Sequence, residues 1–140
     1  GINITQRMKT NLKIFFLLVA AFCIGFISGC QKQPGDGGLA TIHGHVYAYK
    51  KNAFGQVIDS GYRSGVTVYL SYGSHTWEDQ NNKSSYTGEY AFPYLHTGDY
   101  SVYVINKCDT CPLSQSYDIV HLTINGARET VEVRNLINYY

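Results

Sequence analysis

Long apolar runs are what this chain most lacks. Of its 140 residues, only Ile14 to Ile27 (IFFLLVAAFCIGFI) is continuously apolar, and that run has fourteen residues. A spanning helix needs about twenty, so the run is short for a permanent span and suits the core of an export signal. Charge of one sign is also scarce, with 11 Lys and Arg against 10 Asp and Glu. No basic patch or run appears, which excludes nucleic acid as an expected partner. The chain has one Met, at position 8. There is no G-x-S-x-G, H-E-x-x-H, P-loop or dinucleotide fingerprint, and the five His and ten acids are scattered. The expectation is a protein that is not an enzyme and carries no cofactor.

What is present begins with an address. Met8 reads as the translation start, with Gly1 to Arg7 as an upstream extension, and Lys9 and Lys13 supply positive charge before the apolar run. Ile27-Ser28-Gly29-Cys30 follows. It resembles the bacterial lipobox, in which a branched apolar residue and two small residues precede the Cys that receives lipid. The resemblance implies a signal peptide over 1–29 and acylation of Cys30, whose chains together anchor stably where one would not. It places the protein in the bacterial cell envelope, with membrane lipid as a partner. Gln31, in place of an Asp, favours the outer membrane; the periplasmic and surface faces both stay open.

Cleavage there leaves 111 residues, one domain of ordinary size. Removing Arg7, Lys9 and Lys13 changes the formal charge from +1 to −2. Residues 30–39 (CQKQPGDGGL) have no apolar periodicity and read as the lipidated Cys and a flexible tether. From Ala40 the alternation has period two. Strands are expected at Thr41–Tyr49, Val66–Leu70, Tyr90–Phe92, Tyr100–Val104, Val120–Ile124 and Val131–Val133, with no helical stripe after the leader. Asn52 to Ser64 reads as a long polar connection, Asp79 to Lys83 as a loop tip, and Asn125-Gly126 as a hairpin turn. The fold class is all-β: a two-sheet sandwich of about seven strands over 40–140, preceded by a signal helix and linker.

Several segments match one family. Gly44-x-Val46, Ser64-Gly65-Val66-Thr67-Val68-Tyr69-Leu70, Thr87-Gly88-Glu89-Tyr90-Ala91-Phe92 and Leu95-x-x-Gly98-Asp99-Tyr100-Ser101-Val102 resemble the carboxypeptidase regulatory-like domain. That resemblance covers about residues 41 to 135. It implies an Ig-like, transthyretin-like sandwich and a non-catalytic accessory module that binds, spaces or stabilises. The Lys50–Ser64 connection and the Cys108–Cys111 insertion depart from the pattern.

Cys108-Asp109-Thr110-Cys111 reads as a small structural disulfide in an oxidising compartment. The alternative, a thiol-redox pair, would want its first Cys at a helix N-terminus, which a β context lacks. Zinc would need two further ligands. His43 and His45 share a strand face at a spacing that can present two imidazoles to one metal, but the sequence places no third ligand, so solvent-facing strand residues are expected. Glu78, Asp79 and Asn81 lack the pattern of a calcium loop. The B-type repeats of collagen-binding proteins, related in shape to the transthyretin-like sandwich that this resemblance implies, carry a Lys–Asn isopeptide bond; Lys50 and Asn135 have inward parity here, but Glu89 has the wrong parity for the acid, and an exposed Lys50 is expected. Tyr47, Tyr49, Tyr69 and Tyr103 fall at outward positions, with Trp77 in a loop. Thirteen Tyr fit ordinary cross-strand pairing. The same aromatics are also the best candidates to bind a glycan or a protein partner.

Overall fold

The computed structural model describes residues 4–24 and 33–140. They form two compact units. The first contains a helix, α1 (Ile4–Ile24), covering most of the apolar run. Among the described residues, no helix is long and apolar enough to cross a membrane. Cys30 lies outside the described residues.

The second unit is a two-sheet β-sandwich of nine strands: β1 (Asp36–Lys51), β2 (Val57–Tyr62), β3 (Thr67–Tyr72), β4 (Gln80–Lys83), β5 (Glu89–Leu95), β6 (Gly98–Lys107), β7 (Gln115–Ile124), β8 (Thr130–Glu132) and β9 (Leu136–Tyr139). The first sheet is built on β1, which pairs antiparallel with β5 and β2 and parallel with β8 and β9. Val46 donates to Gly88 O and accepts from Arg63 N. Both groups of one strand residue point to one edge, so β5 and β2 follow each other along the same edge of β1. The β8 and β9 bonds use Thr41 N, His43 O and Tyr49 O, on the opposite edge. The second sheet has the order β4-β3-β6-β7, all antiparallel.

The core follows from the alternation. Ile42, Val46, Tyr90, Phe92 and Leu136 of the first sheet meet Val68, Leu70, Tyr100, Val102, Val104 and Ile124 of the second. Each fully buried aliphatic or aromatic side chain contributes about 1.5–3 kcal/mol. One buried polar link joins the sheets: Asn138 on β9 donates to Asn106 Oδ1 on β6 at 2.9 Å, and Asn106 Nδ2 donates to Ile137 O at 2.9 Å. Each of the two amide nitrogens there finds an acceptor, as a buried amide requires.

Four sequence expectations are corrected. The tether does not extend to residue 39, because β1 begins at Asp36. A Cβ at Gly38 would collide with the Leu95 carbonyl, so glycine is what lets these backbones meet. The 52–64 connection contains β2, whose residues are nearly all exposed and therefore carry no alternation. The 79–83 loop tip is mostly the polar edge strand β4. Asn125-Gly126 closes no hairpin, since β7 and β8 belong to different sheets. Its turn is instead held by the Glu129 carboxylate, which accepts from both amides at 2.9 Å and is kept below the usual carboxylate range by those bonds.

Candidate functional site

The aromatic residues singled out in the sequence divide between two faces. Tyr47 and Tyr49 lie on the outer face of the first sheet, in a ladder with Tyr62 and Tyr139. Ring pairs of 5.3–5.7 Å cover one another there, the arrangement that cross-strand pairing alone would give. Tyr69 and Tyr103 lie on the outer face of the second sheet, where they are register partners with rings stacked at 5.2 Å and 20°.

On that second face the structure forms a trough of about 450 Å³. Its floor is Ser101, Tyr103 and Ile105, the outward residues of β6. One wall is Tyr117, Ile119 and His121, the outward residues of β7. His75 and Thr76, from the β3–β4 connection, line the opposite side. Register explains the floor, since Ser71, Ser101 and His121 stand side by side across β3, β6 and β7. Ser101 Oγ lies 2.7 Å from His121 Nδ1, which fixes that imidazole. Burial pushes the Tyr103 phenol up, so it stays a neutral hydroxyl across the physiological range.

The far wall is held from behind. Asp79 Oδ2 accepts the Tyr72 amide at 2.7 Å and sits 2.8 Å from His75 Nδ1. Burial opposes ionisation of Asp79, but these hydrogen bonds outweigh it and hold its carboxyl below the usual range. His75 in turn stacks on Trp77 at 4.2 Å and 20°, and Ser71 Oγ donates to Trp77 O at 2.6 Å. Trp77 thus buttresses the trough through His75 while remaining 59% exposed itself. Asp79 is committed to this scaffold and Asn81 pairs with Tyr69 in the sheet, so the two do not form a calcium loop.

The sequence missed His75, Ser101, Tyr117, Ile119 and His121. Tyr117 and Ile119 carried a signal: Val120 and Leu122 face the core, so extending that alternation backwards puts Tyr117, Ile119 and His121 on the outside.

The remaining candidates lie elsewhere. Cys108 and Cys111 form a disulfide, with Cα atoms 5.4 Å apart, in the turn between β6 and β7. Cys108 follows a strand and a single 3-10 turn (Pro112–Ser114) comes only after Cys111, so neither Cys opens an α-helix. A broader depression of about 670 Å³ beside them is lined by Lys51, Lys107, Tyr139 and Tyr140 among others, and has a mixed polar character. Lys50 and Asn135 are both exposed, Lys50 standing opposite Asp59, so their inward parity at strand ends does not carry them into the core. His43 and His45 lie on the outer face of the first sheet, beside Glu89.

No family model and no curated protein matches this chain. Among solved structures it is similar to a protein from Pseudomonas aeruginosa described as a "putative carbohydrate binding protein", at 12% identity and a TM-score of 0.45, over 79% of this chain and 92% of that one.

Proposed function

We propose that this protein is a lipid-anchored lipoprotein of the bacterial envelope, with a non-catalytic binding module of the carboxypeptidase regulatory-like type, and that the module takes an uncharged carbohydrate in the trough on its second sheet. The trough carries this reading. Its volume lies within the range of about 300–1,000 Å³ usual for small-ligand sites. Its lining combines the rings of Tyr103 and Tyr117 with Ser101, Thr76, His75 and His121, and contains no Lys, Arg, Asp or Glu. Sugars present just these two surfaces, C–H faces that pack on aromatic rings and hydroxyls that both donate and accept. The absence of a charged lining group favours a neutral sugar over a uronic acid or a phosphate. Anchoring rests on Ile27-Ser28-Gly29-Cys30 after a short apolar run.

The lone Trp of the chain sits behind the trough and reports on it. Titrating the full chain with neutral oligosaccharides should shift Trp77 fluorescence, and Tyr103→Ala should weaken binding by about tenfold, the equivalent of one ring contact at the upper end of about 0.5–1.5 kcal/mol. No shift across a broad panel of neutral glycans would refute the ligand class. Metabolic labelling with a fatty acid tests the anchor separately: Cys30→Ala should lose the label.

A further inference from the structure

Away from the trough, a second group of chemistry-bearing side chains converges on the outer face of the first sheet. His43 and His45 alternate along β1 and project to the same side, and Glu89 on β5 is the direct register partner of His45. Both imidazoles aim Nε2 at one carboxylate oxygen: Glu89 Oε1 is 3.5 Å from His43 Nε2 and 3.3 Å from His45 Nε2. Those separations exceed the 2.7–3.2 Å typical of an N–H···O hydrogen bond. They do match the distance between two ligands of one tetrahedral ion, roughly 3.3–3.5 Å when each metal bond is about 2.0–2.2 Å. The two rings meet edge to face at 79°, so they approach the common point from different directions. Tyr62 packs on His45 at 5.3 Å and supports its ring. Glu132 on β8 is the direct partner of His43 on the other edge of β1, and places a second carboxylate on this face.

We propose that His43, His45 and Glu89 form a binding site for a borderline divalent transition-metal ion of the zinc class. Among the described residues, no group of three or more His, Cys, Asp or Glu side chains is placed to hold an ion as it stands, so the site forms only with side-chain rotation. Glu89 Oε1 already stands at ligand-to-ligand distance from both imidazole nitrogens. An ion enters between these three atoms, and the exposed side chains rotate to bring them to bonding distance. Water or Glu132 completes the set. Two neutral imidazoles and one carboxylate suit zinc, copper or nickel, whereas calcium and magnesium prefer all-oxygen sites. The imidazoles are 33% and 27% exposed and the carboxylate 51%, so an ion reaches them from solvent without any opening motion. Bound there, the ion ties β1 to β5 through side chains as well as backbone.

The test uses the full chain without a polyhistidine tag, titrated calorimetrically with Zn²⁺ and spectroscopically with Co²⁺. One ion per chain is expected, with the visible absorption of four-coordinate cobalt. His45→Ala and Glu89→Ala should each weaken binding, His45→Ala by about a hundredfold, since even partners that only orient a ligand are worth 10–100-fold. His75→Ala and His121→Ala should leave it unchanged. Should the substitutions disturb folding, paramagnetic broadening by Cu²⁺ in the unaltered protein gives the same answer: the affected amides should cluster at 42–46 and 88–90. Failure to bind either ion stoichiometrically would overturn the proposal. So would binding that survives in a His43→Ala/His45→Ala double variant, or broadening centred on another histidine.

Discussion

The phenol of Tyr100 accepts a hydrogen bond from the amide of Gly35 at 2.9 Å, across 65 residues of sequence. The same hydroxyl donates to His96 O at 2.7 Å, and His96 N donates to Gly35 O at 2.8 Å. Pro34 packs against Gly98, where any side chain would intrude. The sandwich therefore holds the incoming chain from Pro34 onward, before β1 begins. Tyr100→Phe removes the hydroxyl from a buried position and strands both partners. It should destabilise the sandwich by about 1–3 kcal/mol in urea denaturation. Amide exchange at Gly35 should accelerate more than exchange in β6. Equal acceleration throughout would show that Tyr100 acts only on global stability.

The anchoring role of Tyr100 shows where sequence reasoning stops. Its inward position was legible from the alternation, as were those of Ile42, Val46, Val68, Leu70, Phe92 and Val102, because a sheet with one buried face must alternate. The hydroxyl's partners were not legible, since nothing in a Gln- and Gly-rich tether shows what it will lie against. The strands that the alternation did not reveal lack an unbroken apolar face. β2 projects beyond the core, β4 is the polar edge Gln80–Lys83, and β9 hides its inward alternation behind Asn138, a buried amide satisfied by Asn106. The same limit applies to the candidate sites. Outward parity identified Tyr69 and Tyr103 but could not assign Tyr47 and Tyr49 to a different sheet. The carboxylate between His43 and His45 comes from the register of β5 against β1, a long-range pairing.

Tyr90 presents the opposite case to Tyr100. Its hydroxyl is buried without a hydrogen-bond partner, and burial pushes its pKa up. A buried hydroxyl left unpaired costs about 1–3 kcal/mol. Tyr90→Phe should therefore stabilise the protein, by about 1 kcal/mol, seen as a higher denaturation midpoint at unchanged slope. Gly44 is the reason the ring fits, since a Cβ there would lie 2.5 Å from Tyr90 Oη and 2.8 Å from Cζ. Gly44→Ala should destabilise strongly, and less so in the Tyr90→Phe background, where the nearer obstruction is gone. A double-mutant cycle with no coupling would sink this account.

Asp118 joins β7 to the segment around β9. Arg134 donates to both its oxygens, at 2.9 and 2.7 Å, and Ile137 N donates to Oδ2 at 2.7 Å. The Arg134 hydrogen bonds, chiefly, hold its carboxyl below the usual range against the opposing effect of burial. Because the folded pKa is depressed, the stabilisation is fully present above the unfolded value near 3.8 and is lost as pH falls through the folded value. Acid should thus weaken the wild type more than Asp118→Ala, which lacks the group. At neutral pH that variant should be less stable by about 1–3 kcal/mol, and the gap should close on acidification.

The wall of the trough makes a prediction about acid as well. Asp79 holds His75, and His75 stacks on Trp77, so the indole senses whether the carboxylate is ionised. Hydrogen bonds from Tyr72 N and His75 depress the Asp79 pKa despite burial. The wall is therefore ordered above the usual carboxylate range and loosens as pH falls through a value below 3.8. Trp77 fluorescence should show a transition there, below the range of an ordinary Asp, while circular dichroism of the sandwich still reports a folded state. Asp79→Ala should abolish that transition and, at neutral pH, weaken oligosaccharide binding by severalfold through loss of the His75 position. Tyr103→Ala should weaken binding and leave the acid transition in place. If both variants kept the transition, His75 would be held by something other than Asp79, and the trough's far wall would not be the preorganised surface that its geometry describes.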